Sequence, residues 1–234
     1  MELATLQALN DERKARRAVV LVKSLDDGAE RLVREGDAVE GALGERIAEA
    51  FRSGQSRVVE AGGAEHFLNV HLPPARIVAI GAVHITQALA PMAAVAGYDF
   101  EIIDPRTAFA TPERFPDVRL HAEWPEDVLA RQPFDPYTAV AAVTHDPKID
   151  DFALKAALEA GCFYVGALGS RKTHAKRVER LTELGLPPER IERIQAPIGL
   201  AIGAASPGEI AVAVLAQIIA AFRSRETAGK GRSS

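Results

Sequence analysis

The segment Gly166–His174 combines small residues with basic side chains. Gly169 and Ser170 precede Arg171, and further Lys and Arg residues follow at positions 172, 176, 177 and 180. Backbone N–H groups at the start of a helix carry the positive end of the helix dipole and bind phosphate well. Ser170 suits the cap of such a helix, and Arg171 can donate to phosphate oxygens. We therefore predict a site for one phosphate, with Gly169, Ser170, Arg171 and His174 as candidate binding residues.

The basic residues further along this predicted helix have a second interpretation. Lys176 and Arg180 fit a solvated helix face equally well, which is how most runs of charged residues are placed. Arg171 is nearest the predicted helix start. It is therefore the side chain that we expect to meet an anion.

The segment Thr144–Asp151 is the densest polar cluster in the sequence. Pro147 fits the first position of a helix, which makes Asp146 a natural cap for that helix. His145 then stands at the end of the preceding strand and faces a crevice. A metal site at His145 and the aspartates is a weaker interpretation, because no second histidine is fixed nearby. We predict that His145 and Asp146 bind a ligand and that no metal is bound directly.

The segment Gly81–Thr86 can be compared with the G-x-G-x-x-G fingerprint of dinucleotide-binding proteins. Gly81 matches the first glycine, whereas Val83 and Thr86 stand at the other two. A branched side chain at Val83 occupies space that a pyrophosphate needs, so the segment departs from a standard NAD site. His84, at the start of the next helix, could either donate to an anion or face solvent.

Asp104 follows an apolar strand and lies 23 residues after Gly81. In dinucleotide-binding proteins, the acidic residue that binds a ribose hydroxyl lies about 20 residues after the glycine-rich turn. The alternative is a turn aspartate ahead of Pro105. Arg106 could instead meet a phosphate group. Gly81, His84, Asp104 and Arg106 complete the set of candidate binding residues.

Charge and cysteine content exclude several classes of protein. The 234 residues include 28 Lys and Arg against 32 Asp and Glu, a formal net charge of −4. This argues against binding nucleic acid through a broad basic surface, which needs an excess of basic residues. The single cysteine, Cys162, cannot form an internal disulfide or a multi-cysteine metal site.

Hydropathy leads us to expect a soluble, cytoplasmic protein that does not enter a membrane. The first residues soon become charged, so no signal-peptide core fits them. The longest apolar run, Ile210–Phe222, is interrupted by Gln217. It is also shorter than the roughly 20 residues that span a bilayer.

Short apolar strands alternate with helices of about 10–15 residues after Pro73 and Pro74, a pattern typical of βαβ units. We predict an α/β fold: a doubly wound, Rossmann-like parallel sheet over residues 75–222. The predicted strands are Arg76–Ile80, Asp99–Ile103, Val118–His121, Ala139–Thr144 and Phe163–Leu168. In open α/β sheets ligands bind outside the carboxyl ends of the strands, where all four segments above begin.

The rest of the chain divides into two further parts. Residues 1–72 predict a small α+β N-terminal domain, because two prolines in succession end both helices and strands. A last helix is predicted from about Pro207 to Phe222. Residues 223–234 are polar and small and predict a disordered tail.

Several longer motifs, in the same order, resemble the XdhC/CoxI family. They are Asp104–Arg106, Ala110–Pro116, Thr144–Asp150, Tyr164–His174, Ala196–Leu200 and Ser206–Ala211. The resemblance covers about residues 73–222. It implies a factor that binds molybdenum cofactor, holds it during sulfuration and passes it to a molybdenum hydroxylase such as xanthine or CO dehydrogenase.

The resemblance also implies the partners and the ligand. The partners are the hydroxylase apoenzyme and a cysteine desulfurase or sulfurase, and a homodimer stays open. The ligand is molybdopterin, with its cytosine dinucleotide form left open, and no catalytic residue is expected. Phosphate would bind at Gly169–Arg171, the pterin edge or a ribose at Asp104 or Arg106, and the metal-bearing end at His145 and Asp146.

Two departures from the family pattern bear on this interpretation. Val83 replaces the second glycine of the family's usual Gly-Ala-Gly-His loop, and Gly62-Gly63-Ala64 replaces an N-terminal motif of the Gly-Gly-Cys type. Binding through an N-terminal thiol is therefore excluded.

Two other functions stay open at this point. An NAD(P)-dependent oxidoreductase would use the same sheet, and Asp104 favours this function while Val83 opposes it. A scaffold that only contacts the hydroxylase or the sulfurase is the third hypothesis.

Overall fold

The computed structural model describes residues 2–227, and the side chains of residues 2–225. The chain divides into two compact units, with the boundary between Pro73 and Pro74 and the second unit extending to Phe222. Each unit has its own sheet.

The first unit is a four-stranded antiparallel sheet with two helices. Its elements are α1 (Leu3–Lys14), β1 (Val19–Ser24), β2 (Glu30–Arg34), α2 (Gly41–Ser53), β3 (Arg57–Ala61) and β4 (Ala64–His71). The strand order is β2-β1-β4-β3, with every neighbouring pair antiparallel. Gly62 and Gly63 form the two-residue turn between β3 and β4, and both have the positive φ that such hairpin turns require.

The second unit is a five-stranded parallel sheet. Its elements are β5 (Arg76–Ile80), α3 (His84–Val95), β6 (Asp99–Ile103), β7 (Arg119–His121), α4 (Pro125–Arg131), β8 (Thr138–Ala142), α5 (Pro147–Glu159), β9 (Tyr164–Ala167), α6 (Arg171–Glu183), α7 (Pro188–Ile191) and α8 (Pro207–Thr227), which continues past the end of the unit at Phe222. The order β7-β6-β5-β8-β9, with every pair parallel, confirms the predicted Rossmann-like fold.

Helices cover both faces of this sheet. Val78 and Val140 point to a core that contains residues of α4, α5, α6 and α7. Ile77 and Ala139 point to the other face, where α3 and α8 pack. Strands buried on both faces read as continuous apolar runs, which is why β5 and β8 could be recognised in the sequence.

The strand order also fixes where a ligand can bind. The chain runs outward from β5 in one direction to β6 and β7, and in the other to β8 and β9. The chain after β5 continues into α3 on one face of the sheet, and the chain after β8 continues into α5 on the other face. The carboxyl edge between these two helices is the usual ligand site of such folds.

Helix α8 is longer than predicted. It continues past Phe222 to Thr227, so the predicted tail begins with helical residues, and its remainder lies outside the described residues. By length and composition alone, Pro207–Arg225 could cross a membrane. One such helix is weak evidence for a membrane protein, because core helices of soluble proteins pass the same test. Its buried face is part of the core of the second unit, through Ala211, Val214 and Ile218.

Candidate functional site

The loop after β5 packs directly against the loop after β8. Gly81 has a φ of +123°, and a Cβ at this position would lie 2.7 Å from Cγ2 of Thr144. Real side chains do not tolerate such a contact, so only glycine allows this approach. The tight turn predicted at Gly81 is thus needed to bring the two loops together.

Asp104 at the end of β6 organises the neighbouring loop. Its carboxylate is fully buried and accepts hydrogen bonds from the backbone N–H of Ala82 at 2.7 Å and from Nε and Nη2 of Arg106 at 2.9 and 2.7 Å. Burial opposes ionisation, but these hydrogen bonds outweigh it and lower the pKa of Asp104. The carboxylate has no exposed oxygen for a ribose, and Arg106 is the partly exposed member of the pair.

The loop after β8 is built around Thr144. Its hydroxyl accepts a hydrogen bond from the backbone N–H of Asp146 at 2.9 Å and donates one to Oδ1 of Asp150 at 2.7 Å. Asp146 caps α5 by accepting from the N–H of Lys148, which confirms the predicted cap. Between them, exposed His145 has a φ of +69°, a conformation that costs energy for a residue with a side chain.

The loop after β9 leads into α6 as predicted. Oγ of Ser170 accepts a hydrogen bond from the N–H of Thr173 at 3.2 Å and so caps the helix. Gly169 has a φ of +131°. Arg171 is exposed at the first helical position. His174 is half-buried, and burial together with the positive charge of Arg177 lowers its pKa.

A cavity of about 310 Å³ lies between the start of α5 and the first three turns of α6, and we call it the basic pocket. Its volume is at the small end of the range for small-molecule sites. It is lined by His145, Pro147, Asp150, Lys172, Thr173, Lys176, Arg177 and Arg180. Four of these eight residues are Lys or Arg, in a chain whose net charge is negative.

The predicted site residues therefore fall into separate groups. Gly81, Asp104 and Arg106 are joined by the packing and hydrogen bonds of their loops. The nearby charges of Asp146 and Asp150 also raise the pKa of Arg106, after the larger effect of its hydrogen bond to Asp104.

The basic pocket contains one predicted residue, His145, together with side chains that the prediction had left out. Arg171 is not among its lining residues, and His84 is exposed at the start of α3.

Arg177 is the residue that sequence reasoning missed. A signal for it does exist, because residues three, four and seven positions apart share one face of a helix. Ser170, Thr173 and Arg177 have that spacing. Arg177 therefore lies on the same face of α6 as the capping residue Ser170, and this face lines the basic pocket.

The residues present fit one end of an anionic pterin cofactor better than the other. The basic pocket supplies cationic donors beside the start of α6, which suits a phosphate. Among the described residues, no group of three or more His, Cys, Asp or Glu could hold a metal ion.

Comparison with known proteins identifies the family. A family model described as the XdhC Rossmann domain matches residues 77–218, more than half of the chain. The chain belongs to the XdhC family. The resemblance drawn from the sequence motifs is thereby confirmed.

Three curated relatives match this XdhC-family chain over part of their own length. The uncharacterised protein YqeB of Escherichia coli K12 is 36% identical over 68% of this chain and 30% of its own. A probable xanthine dehydrogenase subunit from Bacillus subtilis is 34% identical over 63% of this chain and 43% of its own. The molybdenum cofactor insertion chaperone PaoD of Escherichia coli K12 is 34% identical over 62% and 40%. The chain thus spans less than half the length of these relatives.

A solved structure resembles the chain over nearly its whole length. It is described as a xanthine dehydrogenase from Bacillus halodurans, and it aligns with a TM-score of 0.64 at 26% identity. The alignment covers 97% of this chain and 69% of the other.

Proposed function

We propose that this chain binds molybdenum cofactor and delivers it to a molybdenum hydroxylase, such as a xanthine or CO dehydrogenase. Membership of the XdhC family and the name of one relative, a molybdenum cofactor insertion chaperone, support this role. The basic pocket carries the proposal, because it concentrates positive charge at the carboxyl edge of the sheet in a chain of net charge −4.

The residues at this edge suggest how the cofactor is held. Lys172 and Lys176 in the basic pocket, with the backbone N–H groups at Gly169–Arg171, would take the phosphate. Arg106 would take the pterin edge, and His145 with Asp146 would face the metal-bearing end. The bound cofactor supplies the molybdenum chemistry of the hydroxylase, while this chain binds, orients and releases it.

Delivery requires that binding be reversible. The lysines of the basic pocket are exposed, so their contacts with a phosphate are weakened by solvent and by salt. Moderate affinity lets an apoenzyme that binds the cofactor more tightly remove it. We propose accordingly an accessory binding protein of the cytoplasm, with the apo-hydroxylase and a sulfurase as partners and no catalytic residue of its own.

The nicotinamide alternative has less support in the structure than in the sequence. Asp104 was the residue in its favour, and the buried carboxylate of Asp104 is already occupied by Ala82 and Arg106. Val83 precedes α3 and still stands where a pyrophosphate needs bare backbone. Titration with NADH and NADPH, followed by fluorescence, checks this: saturable binding with hydride transfer would restore the dehydrogenase hypothesis.

Co-purification tests the proposal. The chain is produced in a host supplied with molybdate, and pterin released by acid oxidation is quantified by its fluorescence. We expect pterin with the wild type and a several-fold loss in Lys172→Gln combined with His145→Ala. Arg190→Gln, which removes one charge from exposed α7, should keep its pterin. Absence of pterin, with activation of the apo-hydroxylase unchanged in the double variant, would reject the proposal.

A further inference from the structure

The side chain of Arg177 is buried, and only some of its donors form hydrogen bonds among the described residues. It is 2% exposed, and Nη2 donates to the carbonyl oxygen of Leu168 at 2.8 Å. In the part of the chain that the structure describes, Nε and Nη1 have no hydrogen-bond partner. A buried charged donor without an acceptor is costly, and such groups in folded proteins are usually paired.

The two carboxylates near Arg177 form hydrogen bonds with other residues. Both oxygens of Asp151 accept hydrogen bonds from Arg180. Oδ1 of Asp150 accepts from the hydroxyl of Thr144. Both aspartates favour the charged form of Arg177 electrostatically, but burial has the larger effect and lowers its pKa. The Nε and Nη1 donors of the guanidinium are thus left for a ligand.

The surroundings of these two donors define the ligand. Lys172 and Lys176 line the same cavity and are exposed, and α6 presents the positive end of its dipole there. Among the lining side chains, Asp150 is the acidic one. Arg180 also lines the cavity, and it forms an ion pair with Asp151, which is not a lining residue. A guanidinium stays charged and donates strong hydrogen bonds to phosphate oxygens.

We infer that Arg177 binds an oxyanion, and that the basic pocket takes one phosphate group on the unpaired donors of the Arg177 guanidinium, with Lys172 and Lys176 as further donors. Because both nitrogens are shielded from bulk water, binding includes a side-chain adjustment at the pocket wall. The inference rests on the proposed function for the identity of the phosphate, which there is the phosphate monoester of the pterin cofactor. Free phosphate has the same chemistry.

The first experiment measures inorganic phosphate binding to the full chain by titration calorimetry at constant ionic strength. We expect saturable binding by the wild type and a loss of about tenfold or more in Arg177→Gln, the usual effect of removing a charged hydrogen-bond donor. Arg190→Gln loses the same charge away from the pocket and should bind like the wild type. If the wild type does not bind phosphate, or Arg177→Gln binds it equally well, the inference is wrong.

A second variant covers the case in which Arg177→Gln does not fold. Lys172→Gln combined with Lys176→Gln changes two exposed side chains and leaves the core intact. This variant should also bind phosphate at least several-fold more weakly, with the circular dichroism spectrum of the wild type. Unchanged affinity in this folded variant would overturn the inference independently of Arg177.

A third measurement separates the two sources of the phosphate. The wild type and Arg177→Gln are compared for binding of the pterin cofactor before and after phosphatase treatment. If the phosphate of the cofactor occupies the pocket, both the phosphatase and the variant weaken binding. Phosphate binding at Arg177 without any pterin binding supports the oxyanion site and rejects the proposed function. Pterin binding that neither the phosphatase nor the variant changes rejects the placement of the cofactor's phosphate in the basic pocket and leaves the proposed function standing.

Discussion

Asp150 is a carboxyl group held where its charge is unfavourable. It is buried under the basic pocket, and desolvation raises its pKa from 3.8 to about 6, against the opposing effects of the Thr144 hydroxyl and Arg177. A carboxyl with a raised pKa binds more protons in the folded than in the unfolded protein between those two values. Its ionisation therefore destabilises the fold as the pH rises.

Replacement of Asp150 with Asn should remove this pH dependence. As the pH rises from about 4 to 7, ionisation of Asp150 should lower the free energy of unfolding of the wild type by roughly 1–3 kcal/mol. This decrease should be absent from Asp150→Asn. Urea unfolding followed by circular dichroism at several pH values measures the difference between the two profiles. Asp99→Asn, on an exposed residue, serves as control. Parallel profiles for the wild type and Asp150→Asn would contradict the raised pKa.

Gly81 gives a prediction about stability that rests on steric contact, because only a glycine fits between its own loop and Thr144. In Gly81→Ala the new methyl group would clash with Thr144 at a backbone conformation that L-residues rarely adopt. We expect a loss of about 2–4 kcal/mol in the free energy of unfolding, from the combined cost of overpacking and strain. Gly208→Ala in α8 meets nothing within 4 Å and is the matched control. Equal stability of the two variants would show that the two loops can separate freely.

At the scale of elements, helix caps could be predicted from the sequence, whereas contacts between helices that are distant along the chain could not. The caps Asp146 and Ser170 could be predicted because a cap and its helix are adjacent in the chain. The pair formed by Asp151 and Arg180 joins α5 to α6 across 29 positions, and only the packing of these helices brings the two residues together. The helix spacing places Arg177 on the same face as Ser170 and Thr173, but only the packing of α6 beside the start of α5 shows that this face lines a pocket.

The cap of α6 supports both the helix and the basic pocket that begins there. In Ser170→Ala the N–H of Thr173 loses its acceptor, and we expect a loss of about 1 kcal/mol in the free energy of unfolding. Ser170→Asp keeps an acceptor and adds a negative charge at the helix start, so it should restore stability. Urea unfolding compares the three proteins. If the Asp variant is as unstable as the Ala variant, the cap does not stabilise α6.

At the scale of the whole molecule, the prediction of a parallel sheet succeeded because buried strands and amphipathic helices alternate visibly along the chain. The end of α8 was harder to place. Residues 223–227 are polar, which suggested a tail, but they include neither Gly nor Pro and so the helix can continue through them. Polarity alone does not end a helix.

The second unit contains the loops that carry the candidate site and two apolar clusters that cover both faces of its own sheet. A unit with its own core is expected to fold alone. We therefore predict that a fragment of residues 74–227 unfolds cooperatively in urea and binds inorganic phosphate within about threefold of the affinity of the full chain, a difference of less than 1 kcal/mol. Urea unfolding and titration calorimetry on the fragment and the full chain make the comparison.

The same fragment carrying Arg177→Gln is the internal control, and it should lose phosphate binding as the full-length variant does. A fragment that folds cooperatively but does not bind phosphate would place part of the site in residues 1–73. A fragment without a cooperative transition would show instead that the core of the second unit is not sufficient. The two failures differ in the urea profile, so the measurement separates the location of the site from the independence of the fold.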